Sequence, residues 1–132
     1  MPKEDLGAER TGVILEWVKT EFQSQQGLIG FAAQIQPDAD DTAKGIICLN
    51  SFGDPTSSDR LVGCFGQGEW FKTYSQERNV SISTNCNAVM ALLSDKEGVM
   101  SHSTVIANTV RQLCDQWLAS ATIKDKWVRH SR

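Results

Sequence analysis

No apolar run in this chain exceeds a few residues, so no segment of it can span a bilayer as a helix. The opening residues, Met1-Pro2-Lys3-Glu4-Asp5, lack the apolar core of a secretory signal. Basic excess is missing too. Thirteen Lys and Arg against 16 Asp and Glu leave a net charge of −3, which removes the broad positive surface that nucleic acid needs. There is no Cys-x-x-Cys pair. Cys48, Cys64, Cys86 and Cys114 are widely spaced and lie mostly in apolar or helical runs, as reduced core cysteines do, which argues against disulfides and zinc. His102 and His130 have no recognisable partners. Internal repeats and low-complexity tracts are absent, and the strand signal is weak throughout. These absences leave a soluble, cytoplasmic chain of 132 residues, enough for one small helical domain.

Helical spacing accounts for most of what is there. Val13, Ile14, Trp17, Val18 and Phe22 predict an amphipathic helix from Thr11 or Gly12 to about Ser24, behind a frayed 1–10. Leu28 to Pro37 is a connector whose Phe31 is either core or a wall of a site. A second helix runs from about Asp40 to Phe52 and ends at the turn Gly53-Asp54-Pro55-Thr56. Ser57 or Ser58 caps a short helix carrying Leu61, Val62, Cys64 and Phe65, which Gly66-Gln67-Gly68 breaks. Ser83 to Leu93 is another helix, Ser94 to Gly98 a turn, and Ser101 or Ser103 starts the last. Val105, Ile106, Val110, Leu113, Cys114, Trp117, Leu118 and Ala121 make its stripe, and residues 125–132 are a frayed basic end. The chain is therefore all-α, with about five helices. Periodicity fits a segment of an α/α barrel and a compact bundle equally well.

Chemistry concentrates in Pro37-Asp38-Ala39-Asp40-Asp41-Thr42-Ala43-Lys44, where three carboxylates crowd the start of the second helix. Pro37 pushes the residue before it out of the helical region, and acids suit the positive end of the helix dipole. One cap needs one acid. The others repel it, and in a partly buried site that repulsion keeps a proton on one carboxyl. A solvated helix cap is the plain alternative. A calcium loop would need Gly and Glu where Ala43 and Leu49 stand. Asp38, Asp40 and Thr42 fit the Asp-x-Asp-x-Thr of haloacid dehalogenase-type phosphotransferases, with Asp38 as nucleophile. That motif follows a buried strand, however, and the residues before Asp38 are a poor one ending in proline.

Asp38-Ala39-Asp40-Asp41 also matches the Asp-x-Asp-Asp motif of class II terpene cyclases. The flanking blocks resemble fungal copalyl diphosphate synthases and ent-kaurene synthases: Gly30-Phe31-Ala32, Tyr74 with Glu77-Arg78-Asn79, Asn85-Cys86-Asn87 with Met90-Ala91-Leu92-Leu93, and Ile123 to Trp127. They occur in that family's order. The resemblance implies part of an α/α barrel, because such cyclases are much longer proteins. The chain then reads as a single partial barrel domain over 1–132, a fragment or a degenerate copy that self-associates or has its missing domains on another chain. A non-catalytic helical remnant or interaction module is the competing reading. Repeated Gln-Trp motifs of triterpene cyclases are absent, as is the Asp-Asp-x-x-Asp of ionisation-dependent synthases.

That resemblance also implies roles. Asp40, the middle aspartate, is the acid that protonates a terminal alkene, with Asp38 and Asp41 orienting it. Ser83 and Asn87, one helical turn apart, face it from a neighbouring helix, and Asn87 bonds to Asp40. The substrate is an isoprenoid diphosphate, geranylgeranyl diphosphate, cyclised to a bicyclic diphosphate with Mg2+ carried on the diphosphate. Trp70, Phe71 and Tyr74 would line the prenyl cavity, where ring faces tolerate cations, and Lys72 and Arg78 would meet the diphosphate.

Overall fold

Asp38 ends the connector in an extended conformation, and its side chain accepts a hydrogen bond from the Asp41 backbone N–H at 2.7 Å. That cap starts the helix on which the rest of the chain is assembled. In the structure, a computed structural model, residues 3–30, 36–67, 70–74 and 80–131 are described, with side chains from Glu9 onward in the first helix and as far as Ala119 in the last. Among these, the elements are α1 (Lys3–Ser24), α2 (Ala39–Ser51), α3 (Asp59–Phe65), β1 (Gly66–Gln67), β2 (Trp70–Phe71), α4 (Ile82–Ser94), α5 (Lys96–Ser101) and α6 (Ser103–Ser131). The fold is all-α apart from one two-residue antiparallel strand pair, in which Gly66 faces Phe71 and Gln67 faces Trp70. The parallel sheet that a phosphotransferase would require is absent among the described residues, and α2 follows the aspartates directly.

α2 and α4 form the most extensive helix pair. Their inner faces carry small residues, Ala39 and Ala43 on one and Ala88 and Ala91 on the other, all fully buried, so the two helices approach closely. Ile46, Leu49 and Leu92 complete that core, each worth roughly 1.5–3 kcal/mol on burial. α1 lays Val18 and Phe22 across Gly45, where a Cβ would meet the Phe22 ring and Ile29 at 2.7 Å. Thr42 ties the connector to α2. Its buried hydroxyl accepts from the Ile29 N–H at 2.9 Å and donates to the Ile29 carbonyl at 3.1 Å, and the Asp38 N–H donates to that same carbonyl at 3.0 Å.

Several boundaries differ from the spacing. α1 begins at Lys3, ahead of Thr11, because Ala8, Glu9 and Arg10 favour helix. Ser94 to Gly98 is not a plain turn. Asp95 precedes a sixth helix, α5, and its Oδ2 accepts from both the N–H and the hydroxyl of Ser58 at 2.8 Å. Gly98 fits there because a Cβ would strike Asp95 and Ser58. His102 is not without a partner: its Nε2 lies 2.7 Å from Asp59 Oδ1. Cys86 and Cys114 are exposed and Cys48 and Cys64 half-buried, all four free, so a purely core role does not hold for them.

Among the described residues, two apolar stripes stay open. Val13, Ile14 and Trp17 on α1 are exposed, Trp17 by 56%, while among its described side chains Leu15, Val18 and Phe22 pack on the core. On α6, Val105 and Ile106 pack on the core, whereas Trp117 is 69% exposed. Patches of this kind drive association. The 132-residue chain is therefore expected to sediment as species larger than a monomer at micromolar concentration. A single monomeric boundary in sedimentation velocity would contradict that.

Candidate functional site

The site is built where the start of α2 meets the flank of α4. Asp40, in the first turn of α2, points toward α4, and Asn87 Nδ2 donates to its Oδ1 at 2.7 Å. Asn87 thus lies within hydrogen-bond reach of the middle aspartate, as the family resemblance implied. Ser83 is exposed and its hydroxyl lies 3.1 Å from that of Ser81, so it faces the cap of α4. The other oxygen of Asp40, Oδ2, holds the ammonium of Lys44 at 2.8 Å. Lys44 carries no assigned role in the sequence reading, although its position four residues after Asp40 is the ordinary spacing of a helical ion pair.

The carboxyls sit in different electrostatic surroundings. Asp38 is 4% exposed, and its burial pushes its pKa from an ordinary 3.8 to about 6, with the negative charges of Asp41 and Asp40 acting in the same direction. Burial also works against charge on Asp40, but the Lys44 ammonium and the Asn87 amide outweigh it and hold that carboxyl below the usual range. The cluster thus separates into a buried carboxyl that keeps its proton to higher pH and a bonded one that gives it up readily. Pairs driven apart in this way are the usual makings of acid–base chemistry. Asp41 lends its N–H to the Asp38 cap and lines a groove of about 240 Å³ with Trp17, Ile29, Gly30 and Lys44. That volume is below the roughly 300–1,000 Å³ of enclosed ligand pockets. The larger cavity, about 520 Å³, lies at the far end of α2 around Asn50 and Asp95 and does not touch the aspartates.

The aromatic segment divides. Phe71 is fully buried in the core, so it is packing and not an accessible cavity wall, while Trp70, Lys72 and Tyr74 are half-buried. Lys72 uses its N–H to bond the Phe65 carbonyl at 3.0 Å. Phe31 and Arg78 lie outside the described residues. The backbone of this segment touches the site itself, since the Thr73 carbonyl accepts from the Ala39 N–H at 2.8 Å. Among the described residues, no group of three His, Cys, Asp or Glu is arranged to hold a metal ion, and no helix is long and apolar enough to cross a membrane.

Comparison with known proteins gives one consistent group. The chain is 38% identical over 115 residues to copalyl diphosphate synthase of Talaromyces verruculosus, covering 86% of this chain and 12% of that protein. It is 37% identical over 124 residues to a pimaradiene synthase of Emericella nidulans, covering 93% and 13%. Against a phyllocladan-16-alpha-ol synthase of Phomopsis amygdali the identity is 40% over 111 residues, covering 83% and 11%. The chain thus spans about an eighth of the length of these relatives. No family model matches it, and no solved structure does.

The raised pKa of Asp38 has a definite sign. A carboxyl whose folded pKa exceeds its unfolded value binds its proton more tightly when folded, so stability is lost as pH rises from about 4 to about 6 and stays lost above that. From 3.8 to about 6, the effect reaches at most about 3 kcal/mol. Asp38→Asn keeps a capping acceptor without the charge. It should match or exceed the parent in stability at pH 7, by about 1–3 kcal/mol in urea unfolding, with the difference shrinking toward pH 4. Asp40 and Asp95 lose stability below pH 4 in both proteins and cancel. A difference that does not change with pH would contradict the assignment.

Proposed function

We propose, from the premise that this chain is a segment of a fungal-type diterpene cyclase, that its aspartate cluster is the proton-donating site of a class II cyclisation. The observation that carries the reading is the Asn87–Asp40 hydrogen bond between α4 and α2. The substrate is a linear isoprenoid diphosphate, with geranylgeranyl diphosphate the first choice, and the product a bicyclic diphosphate of the copalyl type. The relatives support it in their printed names, one of which is a copalyl diphosphate synthase. Any magnesium comes with the diphosphate, and no step is assigned to it.

An alkene is a poor base, so the acid must be strong and must also hold a proton at rest. Asp40 O–H breaks as a C–H bond forms at the terminal alkene, and the cation closes rings before losing a proton elsewhere. The donors already aimed at Asp40 stabilise the carboxylate left behind, which lowers the barrier. With Lys44 on one oxygen and Asn87 on the other, Asp40 has the bonding of a carboxylate. Loading it requires Lys44 to leave. Lys44 is 59% exposed, so its pair with Asp40 is worth at most about 1 kcal/mol and yields easily. Asp38, buried two residues away, stores a proton at a pH where Asp40 does not. Trp70 and Tyr74 remain the candidates for contact with the prenyl chain.

In this isolated chain Asp41 lines an open, shallow groove and the Asp40 side chain is 25% exposed, so water weakens each electrostatic contribution and can capture the cation, and no product is expected. The test of the acid therefore uses the Talaromyces enzyme carrying residues 36–118 of this chain in place of its own matching segment. With geranylgeranyl diphosphate and magnesium, Asp40→Asn should lower cyclic product by about 10²-fold or more. Thermal unfolding should shift little, because Asn keeps the shape. Retained bicyclic product would show that Asp40 is not the acid.

A further inference from the structure

We propose that Asn85 is a positioning residue of the acid site, acting through the backbone of residues 71–73 to hold a cover over the start of α2. The inference rests on reading the Asp38–Asp41 cluster as the acid site. Asn85 stands two residues before Asn87 on α4 and is 0% exposed. Its Oδ1 accepts from the Phe71 N–H at 2.6 Å, and its Nδ2 donates to the Phe71 carbonyl at 2.9 Å and to the Ser81 carbonyl at 2.8 Å. The side-chain amide thus offers β2 a donor and an acceptor side by side, as a neighbouring strand would.

Two residues on, the same backbone reaches the acid site. The Thr73 carbonyl accepts from the Ala39 N–H, and the Thr73 hydroxyl lies 3.3 Å from that of Thr84. Ala39 is the first residue of α2, so its N–H has no partner within the helix. The peptide carrying that N–H joins Ala39 directly to Asp38. Contacts therefore run from Asn85 to Phe71, along the chain to Thr73, and across to the peptide beside the buried carboxyl. α4 meets the cluster by two routes: Asn87 bonds Asp40 directly, and Asn85 supports the segment whose Thr73 carbonyl bonds the Ala39 N–H beside Asp38. Residues two apart on a helix do not share a face, which is how one helix serves both.

If Asn85 lets go, β2 loses a double hydrogen bond, Thr73 loosens and the Asp38–Ala39 peptide becomes hydrated. Among the described residues, the charged groups acting on Asp38 are Asp41, Asp40 and Lys44, all on its own helix. A neutral amide on α4 adds no charge to that set, so any change in Asp38 titration on replacing Asn85 must travel through the cover.

The experiment uses the 132-residue chain without substrate. Amide hydrogen exchange is followed at Phe71, Ala39, Ile46 and Leu92, and the Asp38 carboxyl is titrated by carbon-13 NMR. In Asn85→Ala, Phe71 and Ala39 should exchange at least tenfold faster while Ile46 and Leu92 keep their protection, and the Asp38 midpoint should fall from about 6 toward 3.8. Asn85→Asp should be worse than Asn85→Ala at neutral pH, because a carboxylate would face two carbonyls, and should recover when acid restores a donor. If the variants do not fold, the parent still decides: Phe71 and Ala39 should open with the same free energy and the same urea dependence, below global unfolding. Uniform loss of protection, independent opening of the two amides, or an unmoved Asp38 midpoint in a folded variant would overturn the proposal. Activity of an Asp40→Asn chimera would sink the acid reading and leave this coupling standing. Silent exchange and titration would do the reverse.

Discussion

Everything at the aspartate cluster depends on how closely α2 and α4 approach. An amide and a carboxylate 47 residues apart in sequence meet at 2.7 Å across a helix pair in which Ala39, Ala43, Ala88 and Ala91 are fully buried, small residues that suit a close approach. Packing and chemistry are one constraint here. The residues that close the interface are interleaved, turn by turn, with those that carry the charge and the amide.

From that approach the electrostatics follow. The cap buries Asp38 at the end of the connector, which Thr42 ties to α2 through Ile29, and burial holds its proton to higher pH, with a pKa of about 6. Asp40, one position past Ala39, faces outward to α4 and to Lys44, and its charge is favoured. Two carboxyls of the same chemistry differ because one meets the connector and the other meets α4. The distinction resides in direction around a helix turn and not in residue type.

The α2 cap and the all-α class were legible in sequence, because each follows from local spacing: proline before acids, and apolar residues at three and four. The meeting of Asn87 with Asp40 was implied by the family resemblance and not by spacing, since Ser83, one turn before it, turns to Ser81 instead. Less local features were hidden. Asn85 enters the sequence reading only as part of the block Asn85-Cys86-Asn87 with no role of its own, and the tertiary fold shows it paired to a strand edge. α5 was masked because its cap, Asp95, is held by Ser58, a partner 37 residues away. Phe71 and Trp70 are adjacent aromatics with the same promise as cavity walls, yet the strand turns one into the core and leaves the other half-buried. The apolar residues Val13, Trp17 and Trp117 follow helical spacing without being covered by the described residues, so periodicity identified the helices while overstating what they bury.

The most direct test of this account is the energetic link between Asp40 and Asn87. A double-mutant cycle with Asp40→Ala, Asn87→Ala and the double variant, read by urea unfolding of the 132-residue chain at pH 7, measures it without substrate. A hydrogen bond to a charged group at a partly exposed site predicts a coupling of about 1–2 kcal/mol. Strict additivity, within about 0.3–0.5 kcal/mol, would mean that α4 does not hold the middle aspartate and would contradict the site as a whole.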